Sequence, residues 1–412
     1  MVKAFLVCLL RLSSVLLGAV SSGDAFAAVY EIKLAARMVA VGSKYGSYAI
    51  DEGYYPAFHP VVINDDGDLA QPMLTGPNGK AALWVRRHDW LSGRIVFEVT
   101  STNQQITEVT KDGDNGVLFT VSEEATALGI YRYSYDSSQV NLVTTGPLGV
   151  AAYRSLSVMA GGVFGAKLSF GATNQRINVY DEDSWVALAA TSSADPSSPF
   201  YFFHGVHFVD ARQAIVHAMH SAQPGDSAIY RLRSGKAPEL IVPERSRTGE
   251  AERLQLAPWI AGNHHGDLLF AHYGPKGGLS WNLLTGQDYI EQVIPSSFEG
   301  QAELFPAAIN DAAMVVLRAF EKSGRAIYLR TGDEFKAIAR SGDLVKTDLG
   351  HAAIGRPGGQ NANFNHAPSL NARGDIAFVC DLILPPAFQQ SSEPKGIGES
   401  IGIGLLVAHR LD

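Results

Sequence analysis

Apolar residues along this chain fall in short runs, roughly four to eight long, divided by polar turns rather than spaced three and four apart as in an amphipathic helix. Three of the dividing turns are copies of one pattern: PVVINDDGDLA at 60–70, NHHGDLLF at 263–270 and PSLNARGDIAF at 368–378. Degenerate copies place the glycine-equivalent position at Gly116, Gly162, Gln213 and Ala313. With Gly67, Gly266 and Gly374, these seven positions are separated by 49, 46, 51, 53, 47 and 61 residues. Each unit repeats a grammar of apolar run, Asn-x-x-Gly turn, second apolar run, variable loop and third run. The third runs include Gly129-Ile130-Tyr131, Ala228-Ile229-Tyr230 and Ala326-Ile327-Tyr328.

Short runs joined by a tight turn whose last residue wants positive φ predict antiparallel hairpins, with glycine taking that position at no steric cost. The fold class expected is all-β. Seven units, each too small to bury a face alone, predict a seven-bladed β-propeller with four-stranded blades. The segment Tyr30–Arg37 resembles the fourth-strand segment Asp333–Arg340, and the last unit ends after its third strand, 403–408. Residues 29–40 are therefore expected to supply the missing outer strand of the last blade, which removes two exposed edges.

The start of the chain predicts export. Lys3 and Arg11 give a cationic start, 12–20 an apolar run and Ala25-Phe26-Ala27 a small-x-small cleavage site. Residues 1–27 read as a signal peptide and 28–412 as one propeller domain, periplasmic or extracellular. The apolar run is too short for the roughly 20 residues that span a bilayer. Of the two cysteines, Cys8 leaves with the signal, so Cys380 has no disulfide partner and reads as a buried, inert thiol. A composition of 46% hydrophobic and 18% charged residues, with a net charge of −8, fits a folded soluble chain and offers no basic footprint for nucleic acid.

The Asn-x-x-Gly-x-x-x-Phe element, the Gly-Ile-Tyr-type strand and the Ala339-Arg340-Ser341-Gly342-Asp343 stretch resemble exported tandem-repeat proteins carrying NxxGxxxF repeats. That resemblance implies a propeller-like fold and no established activity. Sialidase, Trp-Asp and kelch repeat signatures are absent, as are P-loop, HExxH, CxxC and GxSxG patterns.

Chemistry is then expected from geometry. The start of strand one and the end of strand two share one edge of a hairpin, so residues there share one face of the disc. These are Tyr54, Tyr55 and His59, then Tyr153 and Arg154, then His204, His207 and His220, then Trp259, His272 and Tyr273, and last Asn363, Asn365 and His366. Six of the twelve histidines fall on this predicted face. Aromatic rings that stack and His, Asn and Arg that hydrogen-bond suit an extended ligand such as a polysaccharide. Polar edge residues with no ligand are the plainer alternative, and a scaffold for an envelope protein is another.

A catalytic alternative rests on Met219-His220 followed by Tyr230-Arg231, which resembles a Met-His…Tyr-Arg element of propeller-type ulvan lyases. The resemblance implies β-elimination on a uronate polysaccharide, with His220 as base or acid, Tyr273 or Tyr201 as partner and Arg154 or Arg231 as carboxylate clamp. No cofactor and no metal is expected. His217 and His220 should face opposite sides of their strand, and His264-His265 should sit in a solvated turn on the opposite face.

Overall fold

The computed structural model describes residues 29–411 apart from 58, 77–78, 114, 224–225, 244–254, 274–277, 287–288, 304–305, 357–363, 365 and 385–397. Apart from one 3-10 turn, Ala160–Gly162, the regular elements among the described residues are strands. No helix there is long and apolar enough to cross a membrane.

Six sheets are meanders of strands taken in chain order, spanning 54–98, 104–144, 152–190, 202–243, 255–292 and 301–340. We call them the first to sixth blades. Their first strands contact one another around a common axis, and their fourth strands face outward. The burial pattern follows from this radial order. Second strands such as Leu69–Thr75 and Val315–Glu321 are buried on both faces, because each lies between two neighbouring sheets. Outer strands such as Gln139–Thr144 are exposed or half-buried along their length. The predicted Gly-Ile-Tyr runs are third strands, with Ile130, Ile229 and Ile327 fully buried.

Seven equivalent blades were expected, and here the structure differs. Six regular blades are present, and the remaining sheet is a six-stranded composite of both chain ends. Tyr30–Met38 pairs antiparallel with Glu399–Arg410, from Tyr30 opposite Arg410 to Met38 opposite Ile403. It is not the outermost strand of that sheet. Leu344–Thr347 lies parallel beyond it, with Lys33 opposite Lys346, and hairpins to Gly350–Ile354. Ile354 and Ala353 in turn pair with Leu382 and Ile383 of Ile376–Leu384, so the composite sheet curls back on itself as a small barrel. The inserted hairpin accounts for the longest spacing between repeat turns.

Apolar clusters sit between adjacent sheets. One joins the sixth blade to the composite sheet through Ile327, Ile354, Phe364 and Phe378, and another joins that sheet to the first blade through Met38, Val61, Trp84 and Leu405. Cys380 is buried in the first of these. Within the composite sheet, the fully buried Arg37 donates a bidentate pair to Asp348, at 3.0 and 2.6 Å, and further bonds to the carbonyls of Gly46 and Ile401. One guanidinium thereby ties the first strand, the inserted hairpin and the last strand together.

The repeat turns close as expected at Gly67, Gly162, Gly266 and Gly374, all with positive φ, and Ala313 adopts the same conformation at φ 56°. Two placements need correction. Gly116 begins a strand, the turn being closed by the Asp112 N–H on the Gly116 carbonyl. Gln213 also begins a strand, opposite Asp210 across a two-residue turn.

Candidate functional site

Every innermost strand is interrupted half-way. Register slips separate Ile106 from Glu108, Arg154 from Ser157, Phe203 from Val206 and Leu256 from Ile260. In the first and sixth blades the inner strand is described as two pieces, Tyr54–Pro56 with Val62–Ile63 and Gln301–Ala302 with Ala308–Ile309, and the composite sheet has Gly350–Ile354 and Ser369–Leu370 at the same place. The sequence supplies the causes: Pro60, Pro258, Pro306 and Pro368 lack the N–H a ladder needs, and Gly205 lets two inner strands close up. A Cβ there would come within 3.0 Å of Ile260 and of the Pro258 carbonyl.

Each interruption strands backbone groups beside the axis, and a buried polar group without a partner is costly. A side chain of the preceding sheet meets each one. His59 lies against the Ile106 carbonyl. Backbone N–H groups of Leu156 and Ser155 point at the Glu108 carboxylate. Lys167 donates to the Phe203 and His204 carbonyls at 2.9 and 2.7 Å. His217 lies against the carbonyls of Ala257 and Pro258, and Trp281 donates to that of Glu303. Arg318 donates to Phe364, and His366 to Ala57. The circuit passes through all six blades and the composite sheet.

This relay explains the unusual titration of its members. Burial holds His217 down at about 3, with His204 adding to the effect, and His366 at about 4, with His59 and Arg318 adding to it. Burial also pulls Lys167 down to about 8 against the attraction of Glu108. It pushes Glu108 up to about 7, although Arg154, Lys167 and the two backbone N–H groups all favour its charged form. Glu108 is deep in the ring, yet 26% of its side chain stays exposed. Arg318 is 4% exposed and pairs with Glu303 at 2.5 Å, which also accepts Arg325 at 2.7 Å.

The predicted face separates into three groups. The first lies along the channel: His59, Arg154, His204 and His366, joined by Glu108, Lys167 and His217, which the sequence reading did not select as site residues. Arg154 is 47% exposed and reaches Glu108 at 3.9 Å. The His204 ring lies 4.7 Å from that of His217, and Trp259, in the bulge of the fifth blade, is 45% exposed.

The second group is built into the blades. Tyr153 is buried, donates to the Thr145 carbonyl and stacks on Trp185. His220 pairs with the Tyr230 hydroxyl and the Pro199 carbonyl and packs on Phe200. Arg231 is engaged by Glu239 at 3.3 Å. His272 accepts from Asn282 at 2.7 Å, and Tyr273 packs against the cluster between the fifth and sixth blades. Tyr201 pairs through its backbone with Met219. Tyr54 and Tyr55 line a shallow pocket at the edge of the first blade with Val41 and Thr75.

His207 forms the third group, alone, because it is at the other end of the axis. It lines a cavity of about 210 Å³ with Asn263, His264, Asn310 and Asp311, where the repeat turns converge. Its Nε2 meets the Asn263 carbonyl at 2.9 Å. That contact belongs to a ladder: Asn263 donates to Asn310, Asn310 to Asn371 and Asn371 to Asn64, each side-chain amide reaching the next turn's carbonyl at 2.9–3.1 Å. His207 holds the corresponding step in the fourth blade, which has no repeat asparagine. The expectation of six histidines on one face is thus corrected by the slip between Phe203 and Val206 and by the use of His207 as a turn clamp. His264 sits in its turn as expected, on Asp311. Asn363 and Asn365 lie outside the described residues. Among the described residues no group of three His, Cys, Asp or Glu side chains is arranged to hold a metal ion.

No family model and no curated protein matches the sequence. The structure is similar to an oligogalacturonate lyase in complex with manganese, with a TM-score of 0.54 and 9% identity over 93% of this chain and 97% of that one. It is also similar to prolyl oligopeptidase B from Galerina marginata in its apo form, with a TM-score of 0.51 and 11% identity over 87% of this chain and 52% of that one. What is shared is the propeller. At such identities the likeness concerns the fold alone, and the chain spans about half of the peptidase.

Proposed function

We propose that this is an exported β-propeller, its composite sheet serving as the seventh blade, that binds an extended anionic saccharide at the axis. The observation that carries the reading is Arg154. In a chain of net charge −8, it stands half-open on the channel with His59 and Lys167 near it, and its ion-pair partner among the described residues is Glu108 at 3.9 Å. A guanidinium held this loosely is suited to a uronate carboxylate. The exposed Trp259 on another inner strand offers a ring for a sugar face. Lys167, His217, His366 and Arg318 are engaged with backbone and shape the channel wall.

Calorimetric titration with trigalacturonate, with neutral maltotriose as control, tests this reading. Binding of the acidic trisaccharide, lost by about tenfold or more in Arg154→Ala and absent with maltotriose, is expected. Equal affinity for both sugars removes the reading.

The lyase alternative is favoured by two observations: the likeness in fold to an oligogalacturonate lyase, and His220 already paired with a tyrosine hydroxyl. Within it, Arg231 is a poor clamp because Glu239 occupies it, which leaves Arg154. Appearance of unsaturated, ultraviolet-absorbing products from polygalacturonate, abolished in His220→Ala, would establish it over simple binding.

A further inference from the structure

Glu108 and Arg154 face each other across the channel wall without a hydrogen bond, at 3.9 Å, and each keeps an open side, 26% and 47% of its side chain. Glu108 is held in place from behind: the slip in its own strand turns it inward, and the N–H groups of Leu156 and Ser155 aim at it from the bulge of the next blade, where Ser155 has φ 53°. Arg154 therefore has freedom to change partners and Glu108 does not. We propose that the two form a carboxylate-exchange site, in which an anionic ligand group takes Arg154 from Glu108 and Glu108 takes up one proton from solvent in the same step.

The inference rests on the saccharide reading above and adds to it a coupled proton. The charged groups that face Glu108 are Arg154 from the inner strand of the third blade and Lys167 from its second strand; His59, from the break in the first blade, faces Arg154. Lys167 is tied to the Phe203 and His204 carbonyls and stays where it is. When Arg154 turns to the ligand, Glu108 loses the larger of its two cationic neighbours and gains a second carboxylate beside it. Both changes favour its neutral form. Burial has already brought Glu108 to about 7, so the added push carries the proton equilibrium across mildly alkaline pH.

The test is calorimetric titration of the full chain with trigalacturonate at pH 8 in phosphate and in Tris, whose ionisation heats differ. Uptake of about one proton per ligand is expected, with affinity falling about five- to tenfold per pH unit above pH 8. Because Lys167 titrates at about 8, the uptake should persist in Lys167→Met, and adding Glu108→Gln to that variant should abolish it and make the affinity flat with pH. Infrared difference spectra of the wild type should show a protonated carboxyl appearing with ligand, a readout that does not depend on the variant folding. Binding with equal heats in both buffers, or uptake that persists when Glu108→Gln is combined with Lys167→Met, overturns the exchange and leaves the saccharide reading standing. No binding by wild type or by Glu108→Gln at any pH overturns both.

Discussion

Two layers of contacts bind each sheet to the next, one at the repeat turns and one half-way along the axis. They solve the same problem, stranded backbone groups facing a neighbour. At the turns, the solution is repeated: the asparagine Oδ1 accepts its own turn's N–H, at 2.8 Å in Asn371 and 3.0 Å in Asn263 and Asn310, while its Nδ2 crosses to the next turn. At mid-depth the residue changes from one sheet to the next: histidine in three sheets, and glutamate, lysine, tryptophan and arginine in one each. The repeated crossing group of one layer is therefore an uncharged amide, and the crossing groups of the other are irregular and mostly ionisable.

Acid should strike the two layers unequally, and this is the largest effect expected. His217 sits at about 3, His366 and His207 at about 4, all below the ordinary histidine value. A histidine depressed by folding contributes stability that is present above about pH 6.5 and lost as pH falls toward its folded value. Lowering the pH from 7 to 5 costs about 2 kcal/mol for each of the three. Glu108, raised to about 7, works in the opposite direction and returns about 2 kcal/mol over the same window. A net loss of about 4 kcal/mol is expected in urea unfolding, and His366→Gln should reduce it.

Arg318→Met should come next, at about 3 kcal/mol by thermal or urea unfolding. It leaves Glu303 buried, and Arg325 at 2.7 Å keeps the loss toward the lower end for a broken buried pair. Asn371→Ala removes one rung of the ladder and should cost about 2 kcal/mol, with no change in the loss between pH 7 and 5; Asp375, held at about 2 in part by Asn371, should respond only below about pH 4. A loss that grows between pH 7 and 5 would show that the turn layer is coupled to the titrating one. Ala313→Gly should be the smallest, a gain of about 0.5 kcal/mol from relieving a left-handed alanine at φ 56°.

The same contrast decides what could be read from the chain. Asn64, Asn263 and Asn371 announce themselves because one residue type performs one task at intervals, and the Gly-Ile-Tyr strands do likewise. The likeness between Tyr30–Arg37 and Asp333–Arg340 foretold a pairing that the structure shows with Glu399–Arg410. Glu108, Lys167, Arg318 and Glu303 carry no such signature, since each residue type stands between neighbours of another type at that depth. Prolines within inner strands were the available clue, marking where ladders had to fail. His204 and His207 were placed together as residues at the start of one inner strand, and the strand, Phe202–Asp210, carries them toward different ends of the axis. The inserted hairpin, 344–354, left its trace only as the longest gap between turns.

The pairing of Tyr30 with Arg410 sets an order on the life of the molecule. A ribosome or a translocon delivers the first of these partners long before the second, so the earliest strand must wait, unmatched along one side, for almost the last. Until then the structure is an arc, not a wheel, and the groups that meet across the hub do not face one another. A nascent chain should accordingly have an open hub and two sticky flanks, and a chaperone that shields those flanks would govern yield more than any residue at the centre.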